Sequence, residues 1–307
     1  MSIATDPCTE ENKPLPKSPG DAEGGGEDEL PLTVIQRRSG WQILDLRELC
    51  RFRELLFFLT WRDVKVRYKQ TALGVAWAIL QPLLMMAVFT VFFGRLAGLP
   101  SGDVPYPLFA FAGLLPWTFF ATALASSGNS VVTNERLITK IYFPRLTVPF
   151  ASVGAAAVDF AIACGLLLLI MAGYAVRGYP VGPGWSVLLA PIAFVFIALA
   201  AAGFGTLLAA LNVKYRDFRY VIPFLVQFWM FATPTVYMQP PADDTGLMSV
   251  LIWANPIAGL VGGFRAACLG LPIPWPQLAV STAVVVVAAV VSTAYFRKVE
   301  DDFADII

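Results

Sequence analysis

Charged positions are spread so unevenly along this chain that the gaps between them outline its elements. Residues 70–94, 104–134, 178–213, 220–242 and 266–296 carry no charge, and 146–176 carries only Asp159. A helix needs about 20 largely apolar residues to cross a bilayer, so each of the six blocks can hold one. The pattern predicts spans near 75–96, 108–130, 148–173, 185–211, 221–238 and 277–296. An even number of crossings puts both termini on one side. A further apolar stretch, 247–264, is interrupted by Asn255-Pro256. The residue before a proline is biased away from helix, so this stretch reads as two half-helices, each too short to cross. Segment 239–276 is expected to form an external re-entrant or interfacial element that partly closes the outer mouth.

The chain ahead of the first span has a different texture. Residues 1–30 hold eight acids and two lysines, with a PGDAEGGGEDELP stretch. Such a segment cannot bury enough apolar surface to order itself, and 1–36 reads as a disordered acidic tail. It lacks a basic start followed by an apolar run, so it is not a signal peptide, and the first span is expected to serve as the insertion signal. Residues 37–69 reverse the sign, with nine basic residues against four acids. Within 41–69, Leu49, Phe52, Leu56 and Leu59 recur on one helical face with Arg47, Arg51 and Glu54 opposite. Trp41 and Trp61 suit the headgroup layer. The stretch predicts an amphipathic helix lying in the membrane surface, either a plain anchor or a sliding element that couples cytoplasmic events to the spans. Residues 37–70 thus form an interface helix and basic juxtamembrane segment, and 71–307 a six-span domain.

Composition agrees. With 57% hydrophobic and 14% charged residues among 307, and a mean hydropathy of +0.66, the chain reads as an all-α polytopic membrane protein. Its 22 basic and 22 acidic residues balance only in sum, because the acidic tail offsets a basic membrane-proximal set. With both termini cytoplasmic, nineteen Lys and Arg fall inside and only Arg95, Arg177 and Arg265 outside, a strong positive-inside bias. There is no histidine. That excludes a Ser-His-Asp triad, a Cys-His pair, an imidazole metal site and a histidine proton relay. The four cysteines, Cys8, Cys50, Cys164 and Cys268, have no metal-ligand spacing and read as neither catalytic nor metal-binding. No phosphate-binding loop occurs, and no cytoplasmic segment after the first span could fold as a nucleotide-binding domain. An ATP-driven pump built on this chain would hydrolyse its ATP on another subunit.

Three features carry candidate chemistry. The connection 133–147 places Asn134 to cap a short helix, Glu135 and Arg136 in its first turn, Lys140 in its last, and Pro144 beyond its end. A solvated loop explains those charges. It does not explain the apolar stripe of Leu137, Ile138 and Ile141, which suits docking into a groove on a cytoplasmic protein. Aromatic residues are dense in the spans, and most read as belts or packing. An aromatic pathway wall is the alternative, with Trp77, Phe89, Trp117, Phe224, Phe228, Phe231 and Tyr237 as its lining and Pro223 and Pro234 as kinks. Asp159 is the one acid well inside a span; small neighbours such as Gly154 favour a hydrogen-bonded helix contact over a functional carboxylate. In the fourth span Ala201, Gly203 and Gly205 likewise read as a tight helix contact.

From residue 41 onward the sequence resembles the membrane subunit of ABC-2-type polysaccharide exporters. The likeness runs through RELLFFLTWRDVKVRYKQTALGVAWAILQPLL (53–84), YPLFAFAGLLPWTFF (106–120), NERLITKIYFPRL (134–146), LNVKYRDFRYVIPF (211–224), ATPTVY (232–237), NPIAGLVGGFR (255–265) and YFRKVEDDFADII (295–307). It implies a homodimer in the cell (inner) membrane with two separate ABC ATPase subunits, which hold the ATP and Mg. This chain then needs no cofactor and contacts no nucleic acid. The resemblance further implies that 134–141 is the coupling helix and that 41–59 and Arg62 form the interface helix. Residues 247–268, with Trp253, Asn255, Pro256 and Arg265, would be the external gate. The cargo implied is a lipid-linked glycan of the O-antigen, teichoic acid or capsule type, carried on undecaprenyl diphosphate through a channel between protomers. Basic residues Arg62, Lys65, Arg67 and Lys69 would meet either that diphosphate or anionic membrane lipids. An ABC-2 exporter of small hydrophobic drugs or lipids is the alternative within the same fold.

Overall fold

The described residues of this computed structural model, 51–69, 76–102, 104–179, 184–238, 246–300 and 303, form ten α-helices and no strand. Trp41, Leu49 and the acidic tail lie outside the described residues. In chain order the helices are α1 (Arg53–Lys69), α2 (Ala76–Phe89), α3 (Tyr106–Thr133), α4 (Glu135–Lys140) and α5 (Thr147–Val176). They continue with α6 (Ala190–Lys214), α7 (Phe218–Ala232), α8 (Leu247–Ala254), α9 (Ala258–Leu269) and α10 (Trp275–Val299). A π-helical turn, Thr90–Leu96, prolongs α2, and a 3-10 turn, Trp185–Leu189, leads into α6.

Five of these elements are long and apolar enough to cross a membrane: Ala76–Leu96, α3, α5, Trp185–Lys214 and α10. They coincide with five of the six expected spans. The fifth expected span, 221–238, is helical only as far as Ala232 and continues from Thr233 as non-helical backbone. Its helix is α7, which starts at Phe218 and stops at Ala232. Fifteen residues at 1.5 Å each reach about 22 Å, short of the roughly 30 Å hydrocarbon core. Pro234 is the reason: it offers no N–H, and it forces Thr233 before it into extended backbone (φ −106°, ψ 128°). Pro234 therefore ends this helix rather than kinking it, while Pro223 does lie inside.

The break at Asn255-Pro256 is where the sequence placed it, between α8 and α9. Every residue of α9 is buried, so this piece is a re-entrant helix sunk in the protein rather than an element resting on its surface. Gly270 closes it at φ 70°, a left-handed conformation suited to glycine, with the Leu271 amide returning to the Ala266 carbonyl at 3.0 Å.

Helix α3 is central, and α2 has no buried residue at all. Around α3 the main core is aromatic: Phe160 stacks on Phe194 at 4.3 Å, and Phe119 touches both, at 5.3 and 4.9 Å. Trp229 of α7 meets Phe120 and Phe204 edge-on, at 5.2 and 5.3 Å. Where helices must approach closely the chain uses glycine, as the small residues of the fourth span predicted. A side-chain carbon on Gly203 would stand 2.8 Å from the Ala289 Cα, and one on Gly205 2.4 Å from the Ser127 Oγ. A second core, built from Leu59, Val131, Ile138, Phe143, Leu146, Val213 and Phe296 among others, ties α1, α3, α4, α5, α6 and α10 together at one end of the bundle. This is also the end that gathers Lys140, Lys214, Arg297 and Lys298.

Candidate functional site

At that basic end α4 is a six-residue helix between the last turn of α3 and the first of α5. Asn134 does not cap it, contrary to expectation. Its amide donates back to the Ser130 carbonyl at 2.8 Å, and its Oδ1 accepts from Arg62 Nη2 at 2.7 Å. The apolar stripe also divides. Ile138 is only 6% exposed and belongs to the second core; Leu137 is half-buried against it; Ile141 is 56% exposed, and the adjoining Tyr142 is 84% exposed. Ile138 is thus removed from the exposed side of α4, since it shares the second core with Leu59, Val131 and Phe143. The outward set is Glu135, Arg136, Lys140, Ile141 and Tyr142. Tyr142 escaped the sequence reading because it stands one place beyond the helical stripe.

Helix α1 supports this post. Leu59 is buried in the second core and Phe52 and Leu56 pack on it, so the described part of the expected apolar face does face the protein. A second apolar face, not expected, is exposed: Phe57, Phe58, Trp61 and Val66, with the Lys65 ammonium 5.5 Å from the Trp61 ring. Contacts advance in the same sense along α1 and α5. The Thr60 hydroxyl stands 3.0 Å from where a side-chain carbon on Gly154 would lie. Further along, Arg67 and Tyr68 both bond the Asp159 carboxylate, one oxygen each. This helix therefore runs beside the first half of α5 instead of lying as a free surface element.

Asp159 is accordingly hydrogen-bonded within a helix contact, as expected, and its partners there are Arg67 and Tyr68 of α1. The glycine at 154 serves Thr60 instead. Burial and the adjacent Asp159 carboxylate push the Tyr68 phenol up to about 12, so it remains a neutral donor well above physiological pH. Arg67 and Asp159 keep about a third of their side-chain surface, which limits what the pair contributes. A double-mutant cycle of Asp159→Asn with Arg67→Met is expected to give a coupling of about 1 kcal/mol in thermal unfolding of detergent-solubilised protein. Strict additivity of the two changes would contradict the pairing.

At the opposite end lies an extended segment, Thr233–Val236, fully buried although it has no helical bonds of its own. Irregular backbone at membrane depth needs partners from the surrounding protein, and here side chains supply them. Asn255 Nδ2 donates to the Ala232 carbonyl at 3.0 Å and to the Thr233 hydroxyl at 2.8 Å, while its Oδ1 accepts from the Trp229 indole at 2.9 Å. Arg265 Nη1 donates to the Pro234 and Thr235 carbonyls at 3.2 and 3.3 Å, and the Tyr106 hydroxyl donates to the Val236 carbonyl at 2.9 Å. Arg265 is 5% exposed and stacks 4.1 Å from the Phe109 ring. Asn255 and Arg265, expected at an external gate, are thus the straps of this segment. Trp253 and Pro256 are half-buried beside them.

The expected aromatic lining also divides. Trp77, Phe224, Phe228 and Phe231 are exposed on α2 and α7. Phe89 is half-buried, stacked on Phe93 at 5.5 Å, and Tyr237 is half-buried with its hydroxyl donating to the Phe231 carbonyl at 3.3 Å. Trp117 is corrected: it is 2% exposed, packed against Phe120, so it belongs to the core of this chain and lines nothing.

A family model described as ABC-2 type transporter matches residues 54–269. Among characterised proteins, the O-antigen export system permease protein RfbA of Myxococcus xanthus is 30% identical over 263 residues, covering 85% of this chain and 98% of that protein. The protein of the same name from Klebsiella pneumoniae is 25% identical over 255 residues, covering 83% and 95%. The polysialic acid transport protein KpsM of Escherichia coli is 28% identical over 76 residues, 25% of this chain and 30% of that one.

Proposed function

We propose, since this chain belongs to the ABC-2 type transporter membrane family, that it is the membrane-spanning subunit of an ATP-driven exporter of a lipid-linked polysaccharide. The observation that carries this reading is the length of the likeness to O-antigen export permeases, which extends over nearly the whole of each. The chain is a permease and not an enzyme. ATP and Mg are held by two ABC ATPase subunits, a division supported by the lack of any phosphate-binding loop in the sequence. The membrane is the cell (inner) membrane with both termini in the cytoplasm, a topology supported by the basic bias of one side.

On this reading the ATPase seats on Ile141 and Tyr142, and its movement is carried inward by three rigid connections. Ile138 passes it to the second core, Arg62 through Asn134 to α1, and the chain itself to α5. Two copies face each other across the path. In support, α2 and α7 present exposed apolar faces, Leu84, Val88 and Phe92 on one and Tyr220, Phe224, Phe228 and Phe231 on the other. The cargo class on this reading is an O-antigen, teichoic acid or capsule-type chain.

The test is deletion of this chain followed by analysis of lipid-linked glycans. Undecaprenyl-linked polymer is expected to accumulate on the cytoplasmic side. An unchanged glycan profile together with new sensitivity to hydrophobic compounds would assign the small-molecule alternative instead.

A further inference from the structure

Between α1, α2, α3 and α5 of a single protomer lies a cleft of about 430 Å³, within the usual range of small-ligand sites. Its wall is apolar over most of its surface, with the Trp77 ring exposed on it, and carries one polar set: the only amide of α2 (Gln81), the hydroxyls of Thr118 and Thr122, and the Arg67–Asp159 pair. We infer that this cleft is a subsite for one neutral pyranose ring, the sugar nearest the lipid in the exported chain. The inference rests on the export reading above and deepens it.

Four observations lead to a sugar. The first is charge. Arg67 is already neutralised by Asp159, so a diphosphate entering the cleft would meet a carboxylate as well as a guanidinium. Sugar hydroxyls use both, donating to the carboxylate and accepting from the guanidinium. The second is the state of the hydroxyls. Thr118 gives its proton to the Leu115 carbonyl of its own helix at 2.9 Å, which leaves its oxygen free to accept from the cleft. The third is the ring. Trp77 is half-exposed on the wall, and an indole face offers the flat apolar surface on which pyranose C–H bonds stack. The fourth is the cost of any apolar occupant. An acyl chain would cover an amide, two hydroxyls and an ion pair without bonding any of them.

The position suits the cargo. Trp77 and Gln81 belong to the first turns of α2, and Asp159 stands about 18 Å along α5 from its start. The cleft therefore opens in the half of the membrane nearer the basic end, where a lipid headgroup with its first sugar would lie.

The test uses the full chain in vesicles of phosphatidylethanolamine and phosphatidylglycerol, with three probes: farnesol, farnesyl diphosphate, and farnesyl diphosphate bearing one N-acetylglucosamine. Binding is read by photo-crosslinking from a benzophenone side chain placed at Met85, which borders the cleft but supplies none of its polar groups. The sugar-bearing probe is expected to bind about tenfold more tightly than farnesyl diphosphate. Trp77→Ala should remove that advantage and Trp77→Phe should keep it within about threefold, since either ring stacks. Neither change should alter binding of farnesyl diphosphate, nor the thermal midpoint, because Trp77 is not part of the core. Equal binding with and without the sugar, or an unaffected Trp77→Ala, would overturn the subsite. If deletion of the chain still made lipid-linked polymer accumulate, the subsite alone would fall; an unchanged glycan profile on deletion would remove the export reading itself.

Discussion

Gly113→Val is expected to prevent this protein from accumulating as a folded, monodisperse species, and Gly113→Ala to lower its thermal midpoint by several degrees. A side-chain carbon at 113 would stand 2.1 Å from the Thr235 carbonyl oxygen and 3.3 Å from Arg265 Nη1. The oxygen has nowhere to retreat. It accepts from Arg265, and the backbone on either side is held by Asn255 at 232–233 and by Tyr106 at 236. Overpacking in a well-packed core costs about 1–3 kcal/mol. Each hydrogen bond to a charged donor lost with it adds about 1.5–3 kcal/mol. The total is a large share of the roughly 5–15 kcal/mol by which folded domains are stable. Arg265→Lys should fall between wild type and Gly113→Val, since a lysine keeps the charge but neither the planar stack on Phe109 nor the guanidinium geometry. Fluorescence-detected size exclusion of a tagged full-length protein reads both effects. A sharp peak with a wild-type midpoint for Gly113→Val would show that the segment is not fixed at Thr235.

How much of this was legible beforehand follows from which interactions are local. Five spans were, because a membrane span is a local property: twenty apolar residues in a row announce it wherever the chain goes. The break at Asn255-Pro256 was too, since proline constrains its neighbour directly. The short α7 was not, although Pro234 was in plain view. An uncharged run continues to residue 242, and hydropathy alone does not say whether the chain crosses as helix or as extended backbone strapped by other elements. Arg265 shows the same limit. Counted by position it is one of three outside charges, yet it is buried, because the carbonyls of Pro234 and Thr235 and the ring of Phe109 reach it from elements some 30 residues or more away in sequence. Asp159 was recognisable as unusual, but its partners Arg67 and Tyr68 lie on α1, which was read as a separate surface element.

Which side of α4 is exposed was only partly legible, and the residue that turned the other way sets the second large expectation. Periodicity groups Leu137, Ile138 and Ile141 but cannot say which edge of the stripe turns inward. The structure turns Ile138 into the second core and leaves Ile141 with Tyr142 outside. Asp substitutions at Ile138 and Ile141 would thus fail for different reasons. Ile138→Asp buries an unpaired carboxylate among Leu59, Val131 and Phe143 and is expected to unfold this end of the bundle; even Ile138→Ala should cost about 2–4 kcal/mol. The double change Ile141→Asp, Tyr142→Ser touches only exposed side chains, so the thermal midpoint should stay within a degree or two of wild type. Recovery of the ATPase subunit with the tagged permease should nevertheless fall at least about tenfold, the loss typical when an aromatic anchor is removed from an interface. Measuring both quantities on the same preparations separates folding from docking. A normal midpoint with an intact complex in the double variant would mean that the ATPase seats elsewhere on the basic end. The exposed α1 face of Phe57, Phe58 and Trp61 would then be the next surface to test, since it is apolar and stands on the same core.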